Sequence, residues 1–229
     1  METKKHVSVD YSVRRPAGED FSDQNHVGKD FSGRNLSWAT FENANCAETN
    51  FTDAKLMEAN LANAQFMLTN FTRADLTCAN LMEANLAGVN LVNANCARTN
   101  FTDAKLIGAN LVNARFVRTN FTKADLTYAN LMEANLAGAD LAGANLTKAN
   151  LAGANFVGAN LENANLSEGI LIGTNFAGAN LRSAKFVATN LVRTYLMGAD
   201  LTNTNFKNAR FVGVNLSGAN LKNARSIER

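Results

Sequence analysis

The sequence predicts a solenoid in which the chain bends once every five residues. Residues 129–140 read ANLMEANLAGAD, and this unit of a small residue, Asn, Leu and two variable residues returns along the chain. Five residues turn an α-helix through about 500°, so successive leucines would form no stripe on a helix. In a straight strand, an odd period would send successive leucines to opposite faces. A bend in every unit instead brings every leucine to the inside.

The repeat runs in one frame along most of the chain. From Phe31 to Leu221 every fifth residue is Leu or Phe except Cys46 and Cys96, which gives 39 units. With this residue as position i, position i−1 is Asn in 25 units and Asp in 5, and position i−2 is Ala in 26 and Thr in 8. Positions i−2 and i are predicted to face inward, and positions i−1, i+1 and i+2 outward. Because no insertion interrupts the frame, the repeat forms one domain.

Tandem A(N/D)LXX units over about 85% of the chain resemble the pentapeptide repeat family. The resemblance implies an all-β fold, a right-handed quadrilateral β-helix with four units per coil and about ten coils. We therefore expect an N-terminal cap segment (residues 1–20), the β-helix (21–225) and a C-terminal tail (226–229).

With four units per coil, residues 20 positions apart in the sequence should lie above one another and form a column along the rod. Phe31, Phe51 and Phe71 are 20 residues apart and should stack on one another. Asn and Asp at i−1 should bond nearby backbone at the bends. Their side chains should also form ladders between coils, as amides do in other stacked-strand structures.

An internal duplication supports the assignment of inward and outward positions. Residues 44–88 match residues 94–138 at 36 of 45 positions, and all nine differences fall at i−1, i+1 or i+2. The shift of 50 residues equals two and a half coils, so the copies should display the same surface on opposite sides of the rod. A specific binding face is therefore expected at the ends or within residues 139–220.

Composition and isolated reactive residues argue against catalysis, a metal site and a cofactor. The formal net charge is +2, the two histidines are His6 and His26, and no apolar run approaches the ~20 residues of a membrane span. The three cysteines have no metal-type spacing. His26 falls in a position-i slot at the start of the coils, and Cys78 should point outward. We expect a soluble cytoplasmic protein that is not an enzyme.

One strip of outward positions in the C-terminal half is poor in charge and rich in glycine and apolar residues. Turn chemistry alone could account for its glycines, because Gly suits position i+2. Contiguous exposed apolar surface, however, often marks an interaction site. Gly169 beside Ile170 also suggests a local bulge or bend. The glycine-apolar strip is the predicted partner-binding site and consists of Gly138, Val157, Gly158, Ile170, Ile172, Gly178, Val192, Tyr195, Met197, Gly198 and Gly218.

Another face, from Phe41 to Leu221, is acidic. It carries six carboxylates and the basic residues Lys123, Arg182 and Lys222, which give the face a net charge of about −3. Some members of the resembled family mimic B-DNA and bind DNA gyrase, but they need a strongly acidic rod. Scattered basic residues without interleaved aromatics also argue against direct nucleic-acid binding.

The sequence therefore predicts a non-enzymatic protein-interaction scaffold, which presents the flat faces of a rigid rod to a protein partner in a regulatory role. The alternative is a DNA-mimicking protein that binds gyrase or topoisomerase and gives quinolone or toxin tolerance. A β-solenoid must also block the strand edges at both ends. Only residues 222–229 follow Leu221, so we predict an end-to-end homodimer through the C-terminal coil.

Overall fold

The computed structural model describes residues 18–226. Most of the predicted cap segment, and all but the first residue of the predicted tail, lie outside the described residues. The described chain forms a right-handed quadrilateral β-helix, as predicted. Its β-structure consists of single bridge residues at the i−1 positions, each paired in parallel with the residue 20 positions later, from Asp20↔Thr40 to Asn205↔Arg225. The 20-residue register confirms four units per coil.

Each unit is bonded to both neighbouring coils through its backbone. In the unit around Leu126, the Leu126 N–H donates to the Asn145 carbonyl of the following coil (2.7 Å). The Asp125 N–H donates in the other direction, to the Ala104 carbonyl (2.9 Å). Repetition of these bonds satisfies the buried backbone and fixes each residue above its counterpart in the preceding coil.

The corner of each unit is a four-residue turn. The N–H at i+3 donates to the carbonyl at i, as from Ala129 to Leu126 (3.0 Å). The residue at i+2 has a positive φ throughout, between about 54° and 70°. Glycine adopts this conformation without steric cost, whereas other residues incur a penalty of about 1 kcal/mol or more. Even Leu68 (φ 57°) and Ala188 (φ 56°) adopt it, so the bonds between coils override local preference.

The core is a stack of side chains from positions i and i−2, as predicted. Phe31, Phe51 and Phe71 form one column with centroid separations of 5.1 and 4.9 Å between neighbours. Threonines at i−2 are buried, and most donate their hydroxyl to the backbone. Thr69, for example, donates to the Cys46 carbonyl at 2.7 Å. Small residues at i−2 thus leave room for Leu or Phe at i without leaving a polar group unpaired.

The two ends of the stack differ in chemistry. In the first described coil, the i−2 positions that hold Ala or Thr elsewhere hold Glu19, Gln24, Lys29 and Arg34. The Arg34 guanidinium lies over the rings of Phe21 and Phe31 (5.9 and 5.2 Å) and is held by Glu19 at 2.7 Å. The last coil instead has only apolar residues at its inward positions, and these are half-buried: Ala209, Phe211, Val214, Leu216, Ala219, Leu221 and Ala224.

The prediction of a bulge at Gly169 is wrong. Ile170 pairs in register with the residues 20 positions before and after it, and the Gly169 N–H makes the usual turn bond to the Leu166 carbonyl (3.1 Å). A Cβ on Gly169 would lie 2.9 Å from that carbonyl oxygen and 2.9 Å from Leu171 Cδ1. The glycine therefore permits close approach within a regular coil.

Candidate interaction surface

The glycines of the predicted strip lie in one column along a corner of the rod. Gly138, Gly158, Gly178, Gly198 and Gly218 all have φ between 63° and 68°. A Cβ added at Gly158, Gly178 or Gly198 would meet nothing within 4 Å. These residues are exposed, and the backbone forms the surface along the column. The turn conformation by itself accounts for glycine here, so binding must be argued from the other members of the strip.

Five of the six apolar members of the strip gather on two successive coils, and the sixth, Val157, lies one coil earlier with 40% exposure. We call Ile170, Ile172, Val192, Tyr195 and Met197 the apolar cluster. Val192 is half-buried, and the other four are between 41% and 46% exposed. Ile172 and Val192 occupy equivalent positions one coil apart, and Tyr195 stands directly above Asn175 in the next column. The register therefore brings together residues that are far apart in sequence.

Two members of the apolar cluster occupy i−1 positions, where most units of the rod have a hydrogen-bonding Asn or Asp. At an intact position, the Asn oxygen accepts the backbone N–H two residues later, as Asn180 Oδ1 does from Arg182 (3.2 Å). The amide nitrogen donates to the preceding coil, as Asn180 Nδ2 does to Asn160 Oδ1 (2.9 Å). These bonds confirm the predicted turns and ladders. Ile170 and Tyr195 stand at such positions and offer no side-chain amide.

The column of Ile170 contains an unpaired buried side-chain oxygen at its next position. Asn190 follows Ile170 in this column, and its Oδ1 is buried without a hydrogen-bond partner among the described residues. Within that part of the chain, His26 Nε2 is the other buried side-chain atom in this condition. An unpaired buried polar atom costs free energy. In the repeat pattern this oxygen accepts from an amide in the following coil, where Arg210 stands instead. An asparagine at position 170 would accept from Asn190 Nδ2, so Ile170 removes an acceptor for the amide nitrogen of Asn190 and leaves its oxygen unaffected.

A second exposed apolar patch was missed by the sequence reasoning. It lies on another corner, in the N-terminal half, and could have been found by sorting all outward positions at a period of 20 residues. Here the i−1 column keeps its polar residues, and Asn85 Nδ2 donates to Gln65 Oε1 at 3.0 Å. The second patch thus adds apolar surface beside a column of polar residues, in which Lys105 interrupts the amide ladder. Its members are Met67, Leu68, Ile107 and Tyr128.

The acidic face directly follows the glycine column in the order of faces around the coil. Arg182 pairs with Asp200 at 3.3 Å, and Glu42 accepts a hydrogen bond from Asn60 at 3.0 Å. Hydrogen bonds from Thr202, with a smaller contribution from Arg182, hold the pKa of Asp200 below its ordinary value. Part of the acidic charge is therefore neutralised or engaged within the rod itself.

The cysteine thiols are separate from one another. Cys46 and Cys96 are buried free thiols, and Cys78 is exposed, as predicted. Burial raises the pKa of Cys46 to about 12, so this thiol stays protonated at neutral pH. Residues 18–226 contain no group of three His, Cys, Asp or Glu side chains arranged to hold a metal ion.

His26 belongs to the aromatic packing of the first coils. Its ring lies edge-on to Phe21 and Phe31, with centroid separations of 5.3 and 5.5 Å. Burial, with a contribution from the charge of Lys29, lowers the pKa of His26. The neutral imidazole therefore serves as a core side chain at the position where the frame predicts one. The described part of the chain includes no helix with the length and hydropathy of a membrane span.

Several solved structures match this chain over most of its length, including HetL and QnrB1. HetL, a pentapeptide repeat protein involved in heterocyst differentiation regulation from the cyanobacterium Nostoc sp. strain PCC 7120, is 31% identical. The match covers 90% of this chain and 91% of HetL, with a TM-score of 0.46. QnrB1, a plasmid-mediated fluoroquinolone resistance protein, is 19% identical over 89% of each chain, with a TM-score of 0.43. No curated protein matches the chain.

The family model for pentapeptide repeats matches the chain in 8 copies. The matched segments are residues 35–73, 79–116, 99–136, 129–167, 159–196 and 194–225. Together they span nearly all of the coil stack described above. The chain therefore belongs to the pentapeptide repeat family.

Proposed function

We propose that the protein is a non-enzymatic, cytoplasmic scaffold whose rigid rod binds a protein partner in regulation, through the glycine-apolar strip. The observation that carries this proposal is the pair Ile170 and Tyr195. An asparagine at either position would form additional hydrogen bonds, but each position instead holds an exposed apolar side chain. Departures from a pattern that otherwise stabilises a fold are expected at functional sites. Contiguous exposed apolar surface is in turn typical of protein-interaction sites.

The glycine column supports the proposal because it leaves the corner beside the apolar cluster free of side chains. Replacing Gly158, Gly178 and Gly198 together with lysine is expected to abolish partner capture from a lysate of the native host. Lys123 and Lys148 already occupy the equivalent turn position with φ of 57° and 59°, so the variant should fold. Capture followed by mass spectrometry measures the effect.

Gly108→Lys is the matched control for this experiment. Gly108 has φ of 64°, and an added Cβ there would also meet nothing within 4 Å, but it lies on a different corner. A partner that remains with Gly108→Lys and is lost from the triple variant supports the strip as its binding site. A partner retained equally by both proteins removes the glycine column from the site.

The half-buried apolar residues of the last coil support an end-to-end homodimer. Phe211, Leu216 and Leu221 are equivalent to residues that are fully buried in inner coils, whereas the first coil is covered by charged side chains. A second copy packed on this end would bury them. Sedimentation velocity is expected to show a dimer for the wild type and a monomer for Phe211→Lys. A wild-type monomer at protein concentrations up to the millimolar range would exclude the dimer.

The alternative function, a gyrase-binding DNA mimic, would use the acidic face instead. The Arg182–Asp200 pair and the basic residues on that face reduce its resemblance to a line of phosphates. A gyrase supercoiling assay with and without the protein separates the two functions. Inhibition or protection of gyrase that persists in the triple lysine variant would favour the alternative.

A further inference from the structure

The apolar cluster is bordered by arginines that are not paired with carboxylates. On the cluster's two faces, Arg193 and Arg210 are exposed and have no carboxylate partner among residues 18–226. The nearest carboxylates along the chain, Glu168 and Asp200, already pair with other basic residues at 3.6 and 3.3 Å. The cluster is therefore bordered by two positive charges that the rod does not balance.

Arg193 lies in the second coil of the cluster, and Arg210 lies at the start of the coil that follows. Arg210 continues the column of Ile170 and Asn190, with Asn190 paired to Arg210 in the bridge ladder. The Cγ of Arg193 lies 3.7 Å from the place of a Cβ on Gly213, which belongs to the following coil. The stem of Arg193 therefore runs along the rod toward the coil that contains Arg210. Arg210 and the stem of Arg193 thus both border the coil that follows the apolar cluster.

We propose, on the basis of the proposed function, that the partner contacts this surface through a short segment that carries carboxylates beside apolar side chains. Carboxylates of the segment pair with Arg193 and Arg210, for which the guanidinium fork offers two parallel hydrogen bonds. Its aliphatic or aromatic side chains pack on Ile170, Ile172 and Tyr195. Three coils at a spacing of about 4.8 Å extend over about 10 Å, which is room for about two turns of helix.

An acidic protein segment fits this surface better than an anionic membrane does. Adsorption to anionic lipid depends on the number of Lys and Arg residues near the surface and generally uses clusters of about four or more. This surface offers two cations, and the remainder of it is apolar or uncharged. A protein segment can add apolar contacts of defined shape to those two ion pairs, which a fluid headgroup layer does not supply.

Selection of random peptides of about a dozen residues displayed on phage, long enough for two or three helical turns, tests the proposal with the full chain as bait. The wild type is expected to enrich peptides that combine Asp or Glu with Leu, Ile, Phe or Trp. The R193E/R210E variant should lose affinity for the best of these peptides by about tenfold or more and should enrich Lys- or Arg-containing peptides instead. K105E/K123E, which reverses two charges away from the cluster, should bind the wild-type peptides unchanged.

Three outcomes would overturn the inference. In the first, I170N/Y195N no longer enriches peptides while R193E/R210E enriches the same peptides as the wild type. This result would support the apolar cluster as the binding surface and refute an acidic partner. Equal selection by all variants would refute both the partner class and the proposed surface. Binding of the wild type to vesicles of phosphatidylcholine and phosphatidylserine, lost in R193E/R210E and without peptide enrichment, would assign the surface to a membrane.

Discussion

Replacement of Phe121 with alanine is expected to lower the free energy of unfolding by about 3–5 kcal/mol. Phe121 is fully buried, stacks on Phe101 at 4.9 Å and meets the edge of Phe116 at 5.1 Å. Neighbouring coils are held in register by backbone bonds, so the coil cannot close around the lost ring. Urea denaturation followed by circular dichroism measures the change.

Tyr128→Ala is the control for this loss, because Tyr128 is 58% exposed at an outward position. Its removal should change the free energy of unfolding by no more than about 0.5 kcal/mol, apart from the loss of the contact between its hydroxyl and Lys148 Nζ (3.2 Å). If Phe121→Ala were as stable as Tyr128→Ala, the assignment of position i to a tightly packed core would be wrong.

The second large effect concerns a double variant that should become more stable and lose partner binding. Changing Ile170 and Tyr195 together to asparagine is expected to raise the free energy of unfolding by about 1 kcal/mol while abolishing partner binding. An asparagine at position 170 would give an acceptor to the Ile172 N–H and to the Asn190 amide. An asparagine at position 195 would restore the equivalent bonds in its own column. Thermal unfolding measures the change in stability.

A lower melting temperature for I170N/Y195N than for wild type would contradict this explanation of the ladder. It would mean that Ile170 and Tyr195 contribute more by packing than asparagines would by hydrogen bonding. The exposed apolar side chains would then have a structural purpose, and partner binding would not be needed to explain them.

Most of the fold could be predicted from the sequence because the repeat is nearly free of exceptions. Leu or Phe at position i and Ala or Thr at i−2 identify the inward residues, and the resemblance to the pentapeptide repeat family implies the coil length. The positive φ at Leu68 and Ala188 was not predictable from these residue types, because the bonds between coils impose it. The bulge at Gly169 was a wrong inference, since a glycine can also permit close packing.

Less of the candidate site could be predicted. In the sequence, Ile170 and Tyr195 stand at i−1 positions where Asn is usual, but the unpaired oxygen of Asn190 becomes visible only once the columns are assembled. The contact of Arg34 with Glu19 at the first coil had a signal, namely charged residues at i−2. The second patch had one too, in the outward positions of the N-terminal half. The role of the glycine column stays a prediction.

Partner capture by I170N/Y195N tests the central claim most directly, with M67T/I107T as its matched control. Met67 and Ile107 are each 42% exposed, so the control removes a similar apolar area from another corner of the rod. We expect M67T/I107T to retain the partner captured by the wild type and I170N/Y195N, although folded and at least as stable, to lose it. Equal capture by the two variants would contradict the assignment of the binding surface to the apolar cluster.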